Sequence, residues 1–271
     1  MKKLSATVFL FLLFFSCIKD KDDFYYTYPE LDDLLISVTR TDEYSEFRTE
    51  FKYDSINRLV EVKNILAEGQ IITESYFYNE QGELVEKKNG NYTTTFTYNS
   101  AGQLTAQNFH YTTTEGDNEW HEKTEFQYKN GKISKGIVYS KDDEVFQYIS
   151  YKYDSRGNTL EKSVHPVNTN SDVSLITVKF EYDTKVNPNV ASKVNMLSGY
   201  MFAQYADIVQ VNNPVYSSYL NLVSSSMPPE FELSYEYNSK NLPIKATMKN
   251  LAIPDREPIE LVYEYRAIEN N

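Results

Sequence analysis

The stretch FTYNSAGQL, residues 96–104, decides the fold, because the chain writes it again and again. Near-copies are FKYDSINRL at 51–59 and YFYNEQGEL at 76–84. Each opens on an aromatic-x-Tyr pair. Eight such pairs occur: Phe51/Tyr53, Tyr76/Tyr78, Phe96/Tyr98, Phe126/Tyr128, Tyr151/Tyr153, Phe180/Tyr182, Tyr235/Tyr237 and Tyr263/Tyr265. The residue between is polar in seven of the eight, Phe77 being the exception, and that alternation describes a strand with one aromatic and one wet face.

A turn follows the strand. Asn99 stands at the first turn position, where its side chain can accept from backbone ahead of it. Gly102 stands fourth and supplies the left-handed conformation that ends a bulged hairpin. Gly82 holds the same place, and Asn57 and Asn241 replace Gly with a residue that tolerates positive φ. The YKNGKI copy is one residue shorter, and YDSRGNTL has its Leu one residue later. The unit therefore encodes strand end, turn and strand start. Between units, Asn89-Gly90, Glu68-Gly69, the acidic loop at 115–118 and Lys141-Asp142-Asp143 supply the opposite turns.

This predicts strands near 34–40, 45–53, 58–66, 70–78, 83–88, 92–98, 103–112, 120–128, 132–139, 145–153, 159–164 and 173–182, each paired with its sequence neighbour. Three more are expected near 231–237, 243–250 and 258–266. No proline falls between residues 30 and 165, as a long hydrogen-bonded sheet requires, whereas eight of the nine prolines lie at or beyond 166. Open twisted sheets rarely exceed about ten strands without curling or closing. The expected fold is all-β: an antiparallel up-and-down meander of about 12–15 strands curled into a barrel or half-barrel. An insert at 190–229 is expected to carry a short helix, because SKVNMLSGYMFAQYADIV (192–209) places Leu197, Met201, Tyr205 and Ile208 on one helical face. That helix would pack against the concave sheet face. A membrane barrel is not expected, since Lys52, Lys152, Glu181, Glu236 and Glu264 lie opposite the aromatics, and lipid-facing charge is costly.

The formal net charge is −12, and loss of a leader containing Lys2 and Lys3 takes it to −14. A surface so acidic repels phosphate backbones and anionic headgroups, so no nucleic-acid partner is expected. The N-terminus, MKKLSATVFLFLLFFSC, has a lysine pair and an apolar run too short to span a bilayer. Cys17, the single cysteine, follows that run directly. The arrangement resembles the processing box of bacterial lipoproteins, which implies a signal peptide over 1–16, a lipidated Cys17, and a membrane partnership through the lipid. Ser16 fits that box, and Phe14 and Phe15 depart from it. The alternative is an ordinary signal peptide with a chance cysteine. Residues 17–33 read as an acidic tether and 34–271 as one domain. Lys21, Asp22 and Asp23 resemble the surface-export signal of Bacteroidota lipoproteins, or else form a solvated linker. With no further cysteine, disulfides and Cys-based metal sites are excluded from the mature domain.

The repeat also resembles the YD repeats of Rhs-type shell proteins. More closely, it resembles β-rich Bacteroidota lipoproteins of an uncharacterised porin-like-fold family. Those carry strand-Tyr-Asp/Asn-x-x-Gly hairpins and an Asn-Pro segment before the last hairpins, here DTKVNPN at 183–189 and NNPVY at 212–216. The resemblance implies a fold and an outer-membrane, lipid-anchored location facing the cell exterior. It implies no activity.

Catalytic signals are sparse. No Gly-x-Ser-x-Gly elbow, phosphate loop, dinucleotide fingerprint or calcium loop appears. Asp32-Asp33 and Asp142-Asp143 are sequence neighbours, which point to opposite faces of a strand or into water in a turn, not toward one bond. His110 and His121, with Glu119 and Glu122 nearby, could compose a two-His, one-carboxylate metal site, but they read as exposed strand and loop residues. No metal, cofactor or catalytic residue is expected. Most repeat tyrosines read as core. Trp120, beside the acidic loop, with Tyr111 across the hairpin, and Tyr216 and Tyr219 in the insert are the candidate ligand-binding residues, because exposed aromatic platforms suit sugar rings. The functional expectation is a non-catalytic cell-surface lipoprotein that binds a glycan, a peptide or an outer-membrane protein partner. The alternatives are a structural or assembly component with no small ligand and, third, a hydrolase.

Overall fold

The computed structural model describes residues 31–112, 119–167, 174–192, 210–220 and 229–268. It contains β1 (Asp33–Thr41), β2 (Glu46–Tyr53), β3 (Leu59–Ile65), β4 (Ile71–Tyr78), β5 (Leu84–Asn89), β6 (Tyr92–Tyr98), β7 (Leu104–Thr112) and β8 (Glu119–Lys129). The meander continues through β9 (Lys132–Tyr139), β10 (Val145–Tyr153), β11 (Thr159–Pro166), β12 (Ile176–Val186), β13 (Asn212–Leu220), β14 (Glu230–Tyr237), β15 (Pro243–Asn250) and β16 (Ile259–Ala267). Every strand pairs antiparallel with its sequence neighbour, and β1 pairs with β16 from Asp33–Ala267 to Thr41–Glu260, which closes a 16-strand barrel. The half-barrel alternative is therefore ruled out, and closure leaves no sheet edge exposed.

The repeat turns form as their chemistry dictates. The Asn99 carboxamide oxygen accepts from the Ala101 and Gln103 amides at 3.0 Å each, and Gly102 has φ +74°. Asn57, Gly82, Gly157 and Asn241 occupy the same left-handed position, with φ between +60° and +92°. YDSRGNTL is regular after all: Thr159, not Leu160, takes the inward place opposite Tyr153, and Leu160 is pushed outward. The Asn89-Gly90 turn forms one residue later than expected. Asn89 pairs with Tyr92, so Gly90 and Asn91 are the loop, with Gly90 supplying the positive φ.

Each repeat turn is followed by a bulge, and the bulge explains the tyrosines. The β3–β4 ladder stops at Glu61–Ser75, two residues short of Leu59. The Leu59 carbonyl would be left without a strand partner, and the Tyr78 hydroxyl donates to it at 2.7 Å. The same substitution recurs at all eight strand pairs. Tyr53 donates to Leu35, Tyr98 to Leu84, Tyr128 to Leu104, Tyr153 to Ile133, Tyr182 to Thr159, Tyr235 to Pro214 and Tyr265 to Pro243, all between 2.7 and 2.9 Å. A ring of eight tyrosines thus lines one end of the barrel, one from every even-numbered strand.

Inside, apolar side chains gather in two buried clusters. One joins Leu35, Val38, Phe51, Leu59, Val62, Tyr76, Ala246, Leu261 and Tyr263, and the other Phe126, Ile133, Val138, Ile149 and Tyr151. The insert does not match its expected boundaries. Its residues 212–220 are a full barrel strand, β13, hidden in the sequence by Pro214 and the lack of an aromatic-x-Tyr pair. The expected helix over 192–209 falls outside the described residues, apart from Ser192 and the 3-10 turn that ends there. That turn, Pro188–Ser192, lies against β1 at the tyrosine end, with Val190 buried. Buried Asn158, Asn187 and Asn212 bond to one another, and Asn158, Asn212 and buried Asn213 are held further by Asp154, the Lys185 carbonyl and Asp183, so buried polar groups beside this turn are hydrogen-bonded.

Candidate functional site

The two ends of the barrel differ. The odd-numbered strands start, and the even-numbered strands end, at the tyrosine ring. The chain enters β1 there at Asp33 and leaves β16 there at Ala267. The opposite end carries connections of varied length, among them the two-residue Gly90-Asn91 loop and residues 251–258.

At that second end the register brings two of the candidate positions side by side. Tyr111 pairs with Trp120 across β7 and β8, and with Tyr92 across β6 and β7. Tyr92 was not among the expected site residues, yet its ring stacks on Tyr111 with centroids 4.5 Å apart and tilts against Phe109 at 5.7 Å. It is 46% exposed, although it shares a strand face with the buried Thr94. Its sequence signal was available: Tyr92 follows the Gly90 turn and precedes an alternating run, so it opens a strand on the aromatic face. Beneath this aromatic row lie buried polar residues, with Thr94, Gln107, Glu122 and Thr124 all under 7% exposed. Close by, Lys87 and Glu74 pair at 3.1 Å, and Glu74 accepts from the Tyr76 hydroxyl. Aromatic faces above hydrogen-bonding groups in a concave wall are what a ligand with apolar faces and polar edges requires.

The other two candidates do not join this row. Tyr216 and Tyr219 lie on β13, five strands from β8, and alternation puts them on opposite faces. Tyr219 pairs with Val178 on the inner face, toward the same end. Tyr216 faces outward and donates to Glu230 at 2.5 Å, which raises its pKa. It borders a shallow outer depression of about 520 Å³ with Lys152, Leu160, Glu161 and Leu220. The acid pairs stay apart from the site: Asp142 and Asp143 are exposed in a turn, and Asp33 pairs with Lys240 at 2.8 Å beside the tyrosine end. Glu122 cannot complete a site with His110 and His121, because it occupies the inner face, opposite Phe109.

Ion pairs recur around the outer face. Arg48–Glu264, Lys88–Glu86, Lys123–Glu125, Lys152–Glu161 and Lys245–Glu260 pair at 2.5–2.8 Å. Ser37 also donates to Glu264, and these two partners hold the Glu264 carboxyl below its usual range. A lipid-facing barrel carries an apolar band at this height.

No protein-family model matches the chain, and no curated protein matches it in sequence. Solved structures do. A porin-like protein from Bacteroides uniformis superposes with a TM-score of 0.58 at 10% identity, over 89% of this chain and 99% of its own. A porin-like protein from Bacteroides vulgatus superposes with a TM-score of 0.52 at 14% identity, over 88% of this chain and 100% of its own. The chain shares their fold.

Proposed function

We propose that this protein is a non-catalytic, lipid-anchored barrel of the bacterial outer membrane that stands in water and binds an extracellular glycan or peptide at its mouth, the end opposite the tyrosine ring. One observation carries the reading: the chain enters the barrel at the tyrosine end, so a tether through residues 17–33 would leave the end with Tyr92 and Tyr111 pointing away from the membrane. The charged outer face supports a barrel held beside a bilayer and not inserted in it. The porin-like neighbours support an outer-membrane setting. The leader, Cys17 and the Lys21-Asp22-Asp23 run support the anchor and the outward face.

Screening the protein on oligosaccharide and peptide arrays tests the binding role. A ligand retained by wild type and by Tyr216→Ala, but lost in Tyr92→Ala and Tyr111→Ala, is the expected result. Binding indifferent to the mouth variants would move the site elsewhere. Cys17→Ser should shift the protein from membrane to soluble fractions, and unchanged fractionation would sink the anchor. The structural alternative is favoured by the tyrosine end, where Tyr53, Tyr78, Tyr235 and Tyr265 pack on a buried apolar cluster as a scaffold would. It becomes the better reading if wild type retains nothing on either array.

A further inference from the structure

The register adds what the spacing of the histidines could not. His110 on β7 stands directly opposite His121 on β8, on the outer face, with ring centroids 6.3 Å apart and planes at 61°. We propose that this pair binds a divalent transition metal, copper(II) most tightly and zinc less so, through two imidazole nitrogens. A metal about 2 Å from each donor nitrogen holds the two ring centres roughly 5–6 Å apart, so small side-chain rotations suffice. The His110 Nδ1 already faces the Thr112 hydroxyl at 3.4 Å, which leaves its Nε2 as the donor. The next residue on that face of β8 is Lys123, a cation that would repel a metal. It is drawn off by Glu125 at 2.6 Å and lies over the Tyr139 ring at 5.5 Å. Both histidines are only partly buried, so water can fill the remaining coordination positions and the ion exchanges freely. Among the described residues no group of three or more His, Cys, Asp or Glu side chains is placed to hold a metal, so this is a two-ligand site. Imidazole donors suit copper, nickel and zinc, and the divalent series places copper first.

Calorimetric titration of the untagged full-length protein with copper(II) chloride and with zinc chloride at pH 7.5 tests this. One copper per chain is expected, with zinc weaker. Binding should be lost in His110→Ala and in His121→Ala and kept in His165→Ala. In the wild type, copper should broaden the ring proton signals of His110 and His121 before those of His165, a readout that needs no variant. No saturable copper binding up to millimolar concentration, or binding that survives both single variants, would overturn the site.

Discussion

A repeat tyrosine contributes twice, through its ring and through its hydroxyl, and the two can be separated. Tyr98→Phe keeps the ring and strands the Leu84 carbonyl, at a cost of about 1–3 kcal/mol. Tyr98→Ala also loses packing, and about 3–5 kcal/mol is expected. Urea unfolding of both variants checks the split, and equal losses would mean that the hydroxyl contributes nothing. Burial also pushes the ring hydroxyls upward, to about 12 for Tyr78 and Tyr98 and further for Tyr182, Tyr235 and Tyr265. A raised folded pKa means that the folded state holds the proton more tightly than the unfolded chain does. The stability from this source is therefore whole below about pH 10 and is lost as pH rises through the folded values. Phenolate absorbance should lag behind that of free tyrosine and rise together with loss of β-sheet circular dichroism above about pH 11. Full ionisation near pH 10 with the barrel intact would contradict the ring.

Elements were legible where their chemistry is local. The Asn99–Gly102 turn and its four counterparts need only side chains within four residues, and alternation alone separates Phe51 and Tyr53 from Lys52. β13 escaped because NNPVYSSYL carries a proline and no repeat pair, and its place in the barrel is set by β12 and β14. The hydroxyl acceptors escaped for a similar reason. Leu59 and Tyr78 are 19 residues apart, and their bond depends on where a bulge ends the ladder. Gly102→Ala tests the turn chemistry without a steric complication. The added methyl group meets nothing nearer than a Glu83 carboxylate oxygen at 3.6 Å, so the left-handed backbone sets a cost of about 1 kcal/mol. Gly102→Asn should cost less, because Asn57 and Asn241 already serve in that position. Equal losses would remove the backbone argument. Gly136 is different, since a side chain there meets Thr124 at 3.2 Å and Ile149 at 3.4 Å. Gly136→Val should overpack the second core cluster and lower the melting temperature.

At the scale of the whole molecule, sixteen strands would ordinarily leave a wide lumen. Here tyrosines packed on two apolar clusters and the Pro188–Ser192 turn occupy the end where the chain enters β1, and Tyr92, Phe109 and Tyr111 stand over buried polar groups toward the other. Of the four expected site residues, the structure sets Tyr111 in register with Trp120, stacks Tyr92 on Tyr111, places Tyr219 farther round the inner wall and sends Tyr216 outside. Sequence spacing gave the hairpin that joins the first two, while the face of Tyr216 depended on a bulge beside Pro214. The most direct test of a binding mouth is Trp120 fluorescence, because Trp120 is the single tryptophan and sits in register with Tyr111. Titration with the oligosaccharide and peptide pools should give a saturable change in emission that disappears in Tyr111→Ala. Emission that stays constant for every pool at millimolar concentration would contradict a mouth that binds.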